Sequence, residues 1–191
     1  MRIAHAAVTP LKTTALLLAF FFANGCHGAQ GPELGAGSPS LQLTTANFSN
    51  GSRIPASFTC DGANTSPALT WSDPPTATRS FALIMADPDA PMGTFTHWVL
   101  YNLPVSARSL PAAVPAQAQL SDGSRQGKND FDAVGYGGPC PPGHSEHHYQ
   151  FALYAVDTVL TLPSGATKQQ VEDALKGHIV ARGKLGGRYS R

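Results

Sequence analysis

The sequence is poor in charge. Asp, Glu, Lys and Arg make up 13% of its 191 residues, and the 13 basic and 12 acidic side chains nearly cancel. A nucleic-acid partner leaves a basic face or stripe, and no such cluster is present. Cysteine is scarce too, with three residues at positions 26, 60 and 140. No two of them form a C-x-x-C pair, which argues against a closed structural zinc site. The tight-turn motif G-x-S-x-G of serine hydrolases is absent. The apolar run Thr14 to Ala23 is too short to span a bilayer as a helix. Internal repeats are missing, and no second linker divides the chain after residue 40.

Glycine and proline are abundant, at 19 and 16 residues. That excess favours turns and short strands over long helices. At the start, Arg2 and Lys12 precede the apolar run, and the small residues Ala23 and Gly25 follow it. This is the pattern of a signal peptide over residues 1–25. Cys26 directly after small residues resembles a bacterial lipobox, with Ala23 where leucine is usual. Two outcomes stay open there: lipidation of Cys26, or simple secretion with cleavage nearby. Either way the domain is expected to be exported, to the bacterial periplasm or to the outer membrane and cell surface as a lipoprotein. A lipid on Cys26 would make the membrane a partner. Residues 26–40 are rich in Gly, Ala, Pro and Ser and are expected to form a flexible tether. The domain is expected over residues 41–191.

Export bears on the other two cysteines. Cys60 and Cys140 both sit in Gly/Pro-rich loops, and an oxidising compartment favours a Cys60–Cys140 disulfide. Two separate buried thiols are the alternative.

Strand signals run in series: Leu41 to Thr45, Ala68 to Ser72, Ser80 to Ala86, Thr96 to Leu103, and Tyr149 to Val156. The run from Ser80 is continuously apolar, as suits a strand covered on both faces. Turn signals such as Asp61-Gly62, Asp73-Pro74-Pro75 and Asp87-Pro88-Asp89 separate them. The pattern predicts an antiparallel β-sandwich or another β-rich sheet. Near the C-terminus a helix is expected, with Thr167 and Gln170 as a capping box. Val171, Leu175 and Ile179 give it one apolar stripe, weakened at Gly183 and ended by Gly186-Gly187.

Polar residues gather at two strand ends. Asp87 closes the strand from Ser80, Asp89 follows within a proline-held loop, and His97 opens the next strand. The second gathering is Gly137 to Tyr154, "GGPCPPGHSEHHYQFALY". Its H-x-x-H spacing at His144 and His147 hints at metal. Strand alternation places His147 and Tyr149 on one face and His148 on the other, which argues against that and for no metal. Cys140 lies near His144, as a thiol nucleophile needs, yet it sits between prolines with Cys60 as a candidate partner. Asp87 and Asp89, two residues apart around a proline, fit strand termination better than a glycosidase pair.

These segments resemble the phosphatidylethanolamine-binding protein family, in its bacterial Raf-kinase-inhibitor-like branch. The likeness rests on "FTCDGANTSPALTW" from Phe58, "DPDAP" from Asp87, "HWVLYNLP" from His97, "GYGGPCPPGH" with "HHY" and "FALYAVD", and "VEDALKGHIVARGKLGGRY" near the end. It covers about Leu41 to Tyr189. The resemblance implies a mainly β, antiparallel Greek-key β-sandwich with a few peripheral helices, one near the C-terminus. It implies a small pocket for phosphate, a phospholipid head group or a small carboxylate, with no cofactor and no reaction. Carried over, Asp87, Asp89, His97, Pro141, Pro142, His147 and Tyr149 would form the ligand site. His148 stands where the family carries arginine, and Ser145 and Glu146 replace its Gly and Pro. Two alternatives remain: a protein inhibitor, for example of a protease, acting through the surface around the pocket, and a weak hydrolase using the same pocket.

Overall fold

The computed structural model describes Met1 and residues 39–191. The expected signal peptide, Cys26 and the tether up to residue 38 lie outside the described residues, apart from Met1. In chain order the strands are β1 (Leu43–Thr44), β2 (Leu69–Trp71), β3 (Ser80–Asp87), β4 (Phe95–Pro104), β5 (Ser109–Leu110), β6 (Arg125–Gln126), β7 (His147–Val156) and β8 (Ile179–Tyr189). Helix α1 (Lys168–Leu175) precedes β8, and a single 3₁₀ turn lies at Ala56–Phe58. All strand pairs are antiparallel, in two sheets ordered β1-β2-β5 and β6-β4-β3-β7-β8.

The burial pattern explains why the central strands lack polar alternation. Phe81, Leu83 and Met85 of β3 join Trp98, Leu100, Phe151 and Leu153 in one core cluster with Leu69 and Trp71 of the smaller sheet. The Trp71 and Phe81 rings meet edge to face at 5.5 Å across the two sheets. The other face of β3, Ala82 and Ile84, packs with Val99, Tyr101, Tyr154 and the α1 residues Val171 and Leu175. Each fully buried leucine or phenylalanine contributes about 1.5–3 kcal/mol, so a strand covered on both faces is held by its apolar run.

The helix corrects two expectations. Among the described residues there is one α-helix and one 3₁₀ turn, not a few peripheral helices. Thr167 caps α1 and forms the expected capping box with Gln170. The helix stops at Leu175, however, and Ile179 opens β8 instead of completing a helical stripe. Gly177, at φ +79°, takes the left-handed turn that ends it. Gly186 and Gly187, which resemble a terminator in sequence, lie inside the eleven-residue β8. A Cβ on Gly187 would lie 2.5 Å from Ile54 Cγ1, so close packing of the strand against residues 48–54 requires glycine there.

Cys60 and Cys140 are disulfide-bonded, with Cα atoms 5.4 Å apart. Neighbouring contacts run parallel to that bond. Cys60 N donates to Pro139 O (3.1 Å), Gly138 N to Asn64 Oδ1 (2.8 Å) and Tyr136 Oη to Phe58 O (2.7 Å).

Candidate functional site

Antiparallel pairing brings three strand ends together. Ala86 of β3 pairs with Thr96 of β4 and with Gln150 of β7, so the end of β3 meets the starts of both neighbours. Asp87, His97, His147 and Tyr149 therefore converge at one end of the larger sheet. Residues 81, 83, 85 and 87 of β3 share the inner face, as do 147, 149, 151 and 153 of β7. His97 reaches that face by a bulge. Met85 pairs with Trp98 and Ala86 with Thr96, leaving His97 as the extra residue. Strict alternation would set His97 opposite to Trp98; the bulge re-aims it. Its ring stands edge-on to Tyr149 at 5.2 Å.

The polar contacts fix how these side chains present themselves. His147 Nδ1 donates to Asp87 Oδ2 at 2.8 Å, and both side chains are buried. The other Asp87 oxygen accepts from Asp89 N at 2.8 Å. His97 Nδ1 donates to Gly137 O at 2.7 Å, and Gly137 N returns a bond to His97 O at 2.9 Å. The carbonyl can only accept, so Nδ1 carries the proton and Nε2 is the remaining polar atom of the ring. Phe95 and Phe131 flank His97 at 5.2 and 5.4 Å. Burial in this aromatic cage pushes the imidazolium of His97 below the usual histidine range; the Gly137 carbonyl and the Asp87 charge oppose the shift without reversing it. Tyr149 is fully buried, and its hydroxyl has no hydrogen-bond partner. Burial first, and then the Asp87 charge, drive its ionisation well above the ordinary tyrosine range. Asp87 is near enough to exert that effect, yet no hydrogen bond of ordinary geometry joins the two.

Beside this cluster opens a cleft of ≈ 510 Å³. Asp87, His97, Pro141 and Pro142 line it, with Cys140, Phe95, Phe131, Asp130, Pro91 and Met92. Four of the expected site residues thus line the cleft itself. His147 and Tyr149 are not among its lining residues, His147 holding Asp87 and Tyr149 packing on His97. Asp89 is turned elsewhere. It accepts from His148 N (2.8 Å) and His148 Nδ1 (2.7 Å) on the exposed face. Slight burial alone would raise the Asp89 carboxyl, but these two donors outweigh it and hold it below the usual carboxylate range. His148 thus serves as a clamp between the β3–β4 connection and β7.

The sequence pattern did not single out Asp130, Phe131, Phe95 or Met92. Asp130 and Phe131 come from the loop after β6, which carries no strand or helix period. Asn129 organises that loop by accepting from Phe131 N and Ala133 N and donating to Gly135 O. A buried asparagine followed by "DFD" is the available signal, and it is a weak one. Among the described residues no group of three or more His, Cys, Asp or Glu side chains is placed to hold a metal ion. His144 Nδ1 lies 3.3 Å from Arg191 O, and His147 Nδ1 is bonded to Asp87.

Comparison with known proteins gives consistent matches. The family described as phosphatidylethanolamine-binding protein matches residues 44–190. A UPF0098 protein of Aquifex aeolicus is 47% identical over 158 residues, which span 82% of this chain and 92% of that protein. A UPF0098 protein of Methanothermobacter thermautotrophicus is 48% identical over 151 residues, spanning 79% and 99% respectively. Among solved structures, Escherichia coli YbcL, described as a new member of the mammalian PEBP family, has a TM-score of 0.74 at 34% identity, covering 80% of this chain and 99% of that one. A putative phosphatidylethanolamine-binding protein homolog from Chlamydia trachomatis has a TM-score of 0.73 at 38% identity, covering 81% and 99%.

Proposed function

The chain belongs to the phosphatidylethanolamine-binding protein family, and from that premise we propose that its cleft binds a small anion or the phosphate of a phospholipid head group, without chemistry on the ligand. The observation that carries this is the meeting of Asp87 and His97 in a cleft walled by Pro141 and Pro142. The prolines and the disulfide at Cys140 fix the wall before a ligand arrives, so little ordering is lost on binding. His147 fixes the Asp87 carboxylate, and the unpartnered Tyr149 hydroxyl is a donor in reserve nearby. A calorimetric titration with phosphate and with phosphoethanolamine tests this. Saturable binding of either, lost in His97→Ala, is expected; no binding of either ligand to the unsubstituted protein overturns it.

The export of the chain belongs to the same proposal: residues 1–25 as signal peptide, residues 26–40 as tether, and lipid on Cys26 in a bacterial periplasmic or outer-membrane setting. The Cys60–Cys140 bond supports it, because such bonds persist in oxidising compartments. Mass spectrometry of the mature protein should find acylated Cys26 at the N-terminus; a chain still bearing Met1 contradicts export. A protein-inhibitor role is the second proposal. Met92 and Phe131, exposed at the rim of the cleft, favour it, since apolar rim residues suit contact with a partner protein. Inhibition of an extracytoplasmic protease that is abolished by Met92→Asp would support it. We further propose a Greek-key sandwich path for the sheets. Within the larger sheet β7 returns to lie beside β3 after β4 and β6, which supports that path.

A further inference from the structure

The charges around His97 are unusual for a site that takes anions. From β3 comes the Asp87 carboxylate, with His147 of β7 bonded behind it. From the loop after β6 come Asp130, Phe131 and the Gly137 carbonyl. Asp130 is itself tied in place by Thr96 N at 2.7 Å. From β7 comes the neutral Tyr149, and from the segment after the disulfide Pro141 and Pro142. The β3–β4 connection adds Pro91, Met92 and Thr94, while its one acid, Asp89, faces His148 on the other side. No lysine or arginine lines the cleft among the described residues. The fixed charges an incoming anion meets are therefore two carboxylates.

His97 does not relieve this in its neutral form. Its single ring proton is spent on Gly137 O. Nε2 then carries a lone pair, which repels the lone pairs of an oxyanion. A proton on Nε2 changes the sign of the interaction: it gives a charged donor to the ligand oxygen and leaves the Gly137 bond intact. The Asp87 and Asp130 carboxylates beside the ring favour that charge, against the opposing effect of burial.

Resting on the anion-binding role proposed above, we infer that the cleft admits an oxyanion only together with one proton, held between His97 Nε2 and the ligand. The ligand class follows. Singly protonated oxyanions of weak acids, such as a phosphate monoester in its monoanion form or a carboxylic acid, bring the proton with them. Anions of strong acids must draw it from solvent. Selection then depends on pH.

The test uses the mature protein and methanesulfonate, whose charge stays constant across the working pH range. Calorimetric titrations in buffers of different ionisation heat count the protons taken up. One proton per anion is expected, with affinity falling roughly tenfold per pH unit above neutrality. Methanesulfonate binding with no proton uptake and a flat pH profile overturns the proton linkage and leaves the anion role standing. If neither methanesulfonate nor phosphate binds at any pH, both fail. His97→Asn supplies an amide donor that needs no proton, so its methanesulfonate binding should be independent of pH. Persistent uptake of one proton in that variant assigns the titration to another group and overturns the proposal. Should His97→Asn not bind, the ¹⁵N spectrum of His97 in the unsubstituted protein saturated with methanesulfonate decides. Two protonated ring nitrogens are expected, and an unprotonated Nε2 contradicts the proposal.

Discussion

Replacing Cys60 and Cys140 together by serine opens a crosslink between residues 80 apart in sequence. In the unfolded chain that crosslink removes loop-closure entropy, worth about 4.5 kcal/mol for a loop of this length. In the folded chain little should change. Cys60 is exposed and Cys140 half-buried, so neither serine hydroxyl is forced into the core. The wall of the cleft also keeps its other straps, from Cys60 N to Pro139 O, Gly138 N to Asn64 Oδ1 and Tyr136 Oη to Phe58 O. The perturbation should therefore lower stability while sparing the site. For a domain of this size, 1 kcal/mol moves Tm by roughly 2–4 °C, so a loss of about 9–18 °C is expected. The assay pairs thermal melts of the oxidised protein and the double variant with phosphate titrations well below either transition. A Tm shift under about 3 °C would refute the entropy reasoning. A loss of phosphate affinity beyond about tenfold would show that the straps alone do not hold the wall.

Three further perturbations report on other parts of the structure. Burial makes His97 harder to protonate in the fold than in the unfolded chain, where it gains a proton near pH 6.5. This residue therefore lowers stability as pH falls through about 6.5, and denaturant melts should decline more steeply with acid in the unsubstituted protein than in His97→Asn; parallel declines would contradict this. Tyr149→Phe removes a buried hydroxyl without a partner, so unliganded stability should hold or rise by up to about 1 kcal/mol in urea melts, whereas phosphate binding weakens. A loss of more than about 2 kcal/mol would mean the hydroxyl was bonded after all. Thr167→Ala removes the cap of α1 and should cost about 1 kcal/mol in the same melts, and an unchanged midpoint would mean the helix does not need it.

How far the sequence could be read depended on the kind of signal each part carried. β3, β4 and β7 were legible because burial on both faces demands long apolar or β-branched runs, and the observed limits lie within two residues of those expected. The split of His147 from His148 followed from the two-residue period of a strand, and the structure places them on opposite faces. β8 was not legible as a strand. Its glycines at 183, 186 and 187 look like punctuation, whereas in three dimensions they admit neighbouring segments, as Gly187 does Ile54. Ile179 misled for a related reason, since helix and strand both tolerate it and Gly177 decides between them. At the site, Asp87 and His97 stood out as polar residues at strand ends. The bulge that turns His97 inward depends on pairing between strands and leaves no local mark. Asp130 and Phe131 reach the cleft through a loop organised by Asn129, a long-range placement that composition does not encode.

The most direct test of the cleft as the oxyanion site is a phosphate titration followed through the imidazole ¹H–¹⁵N signals of the protein. His178, paired with Asp157 on the surface at 2.8 Å, serves as the internal control. Saturable movement of the His97 Nε2 signal at millimolar phosphate, with His178 unmoved, is the predicted result. A His97 signal that stays fixed, or that moves only in step with His178, would contradict it.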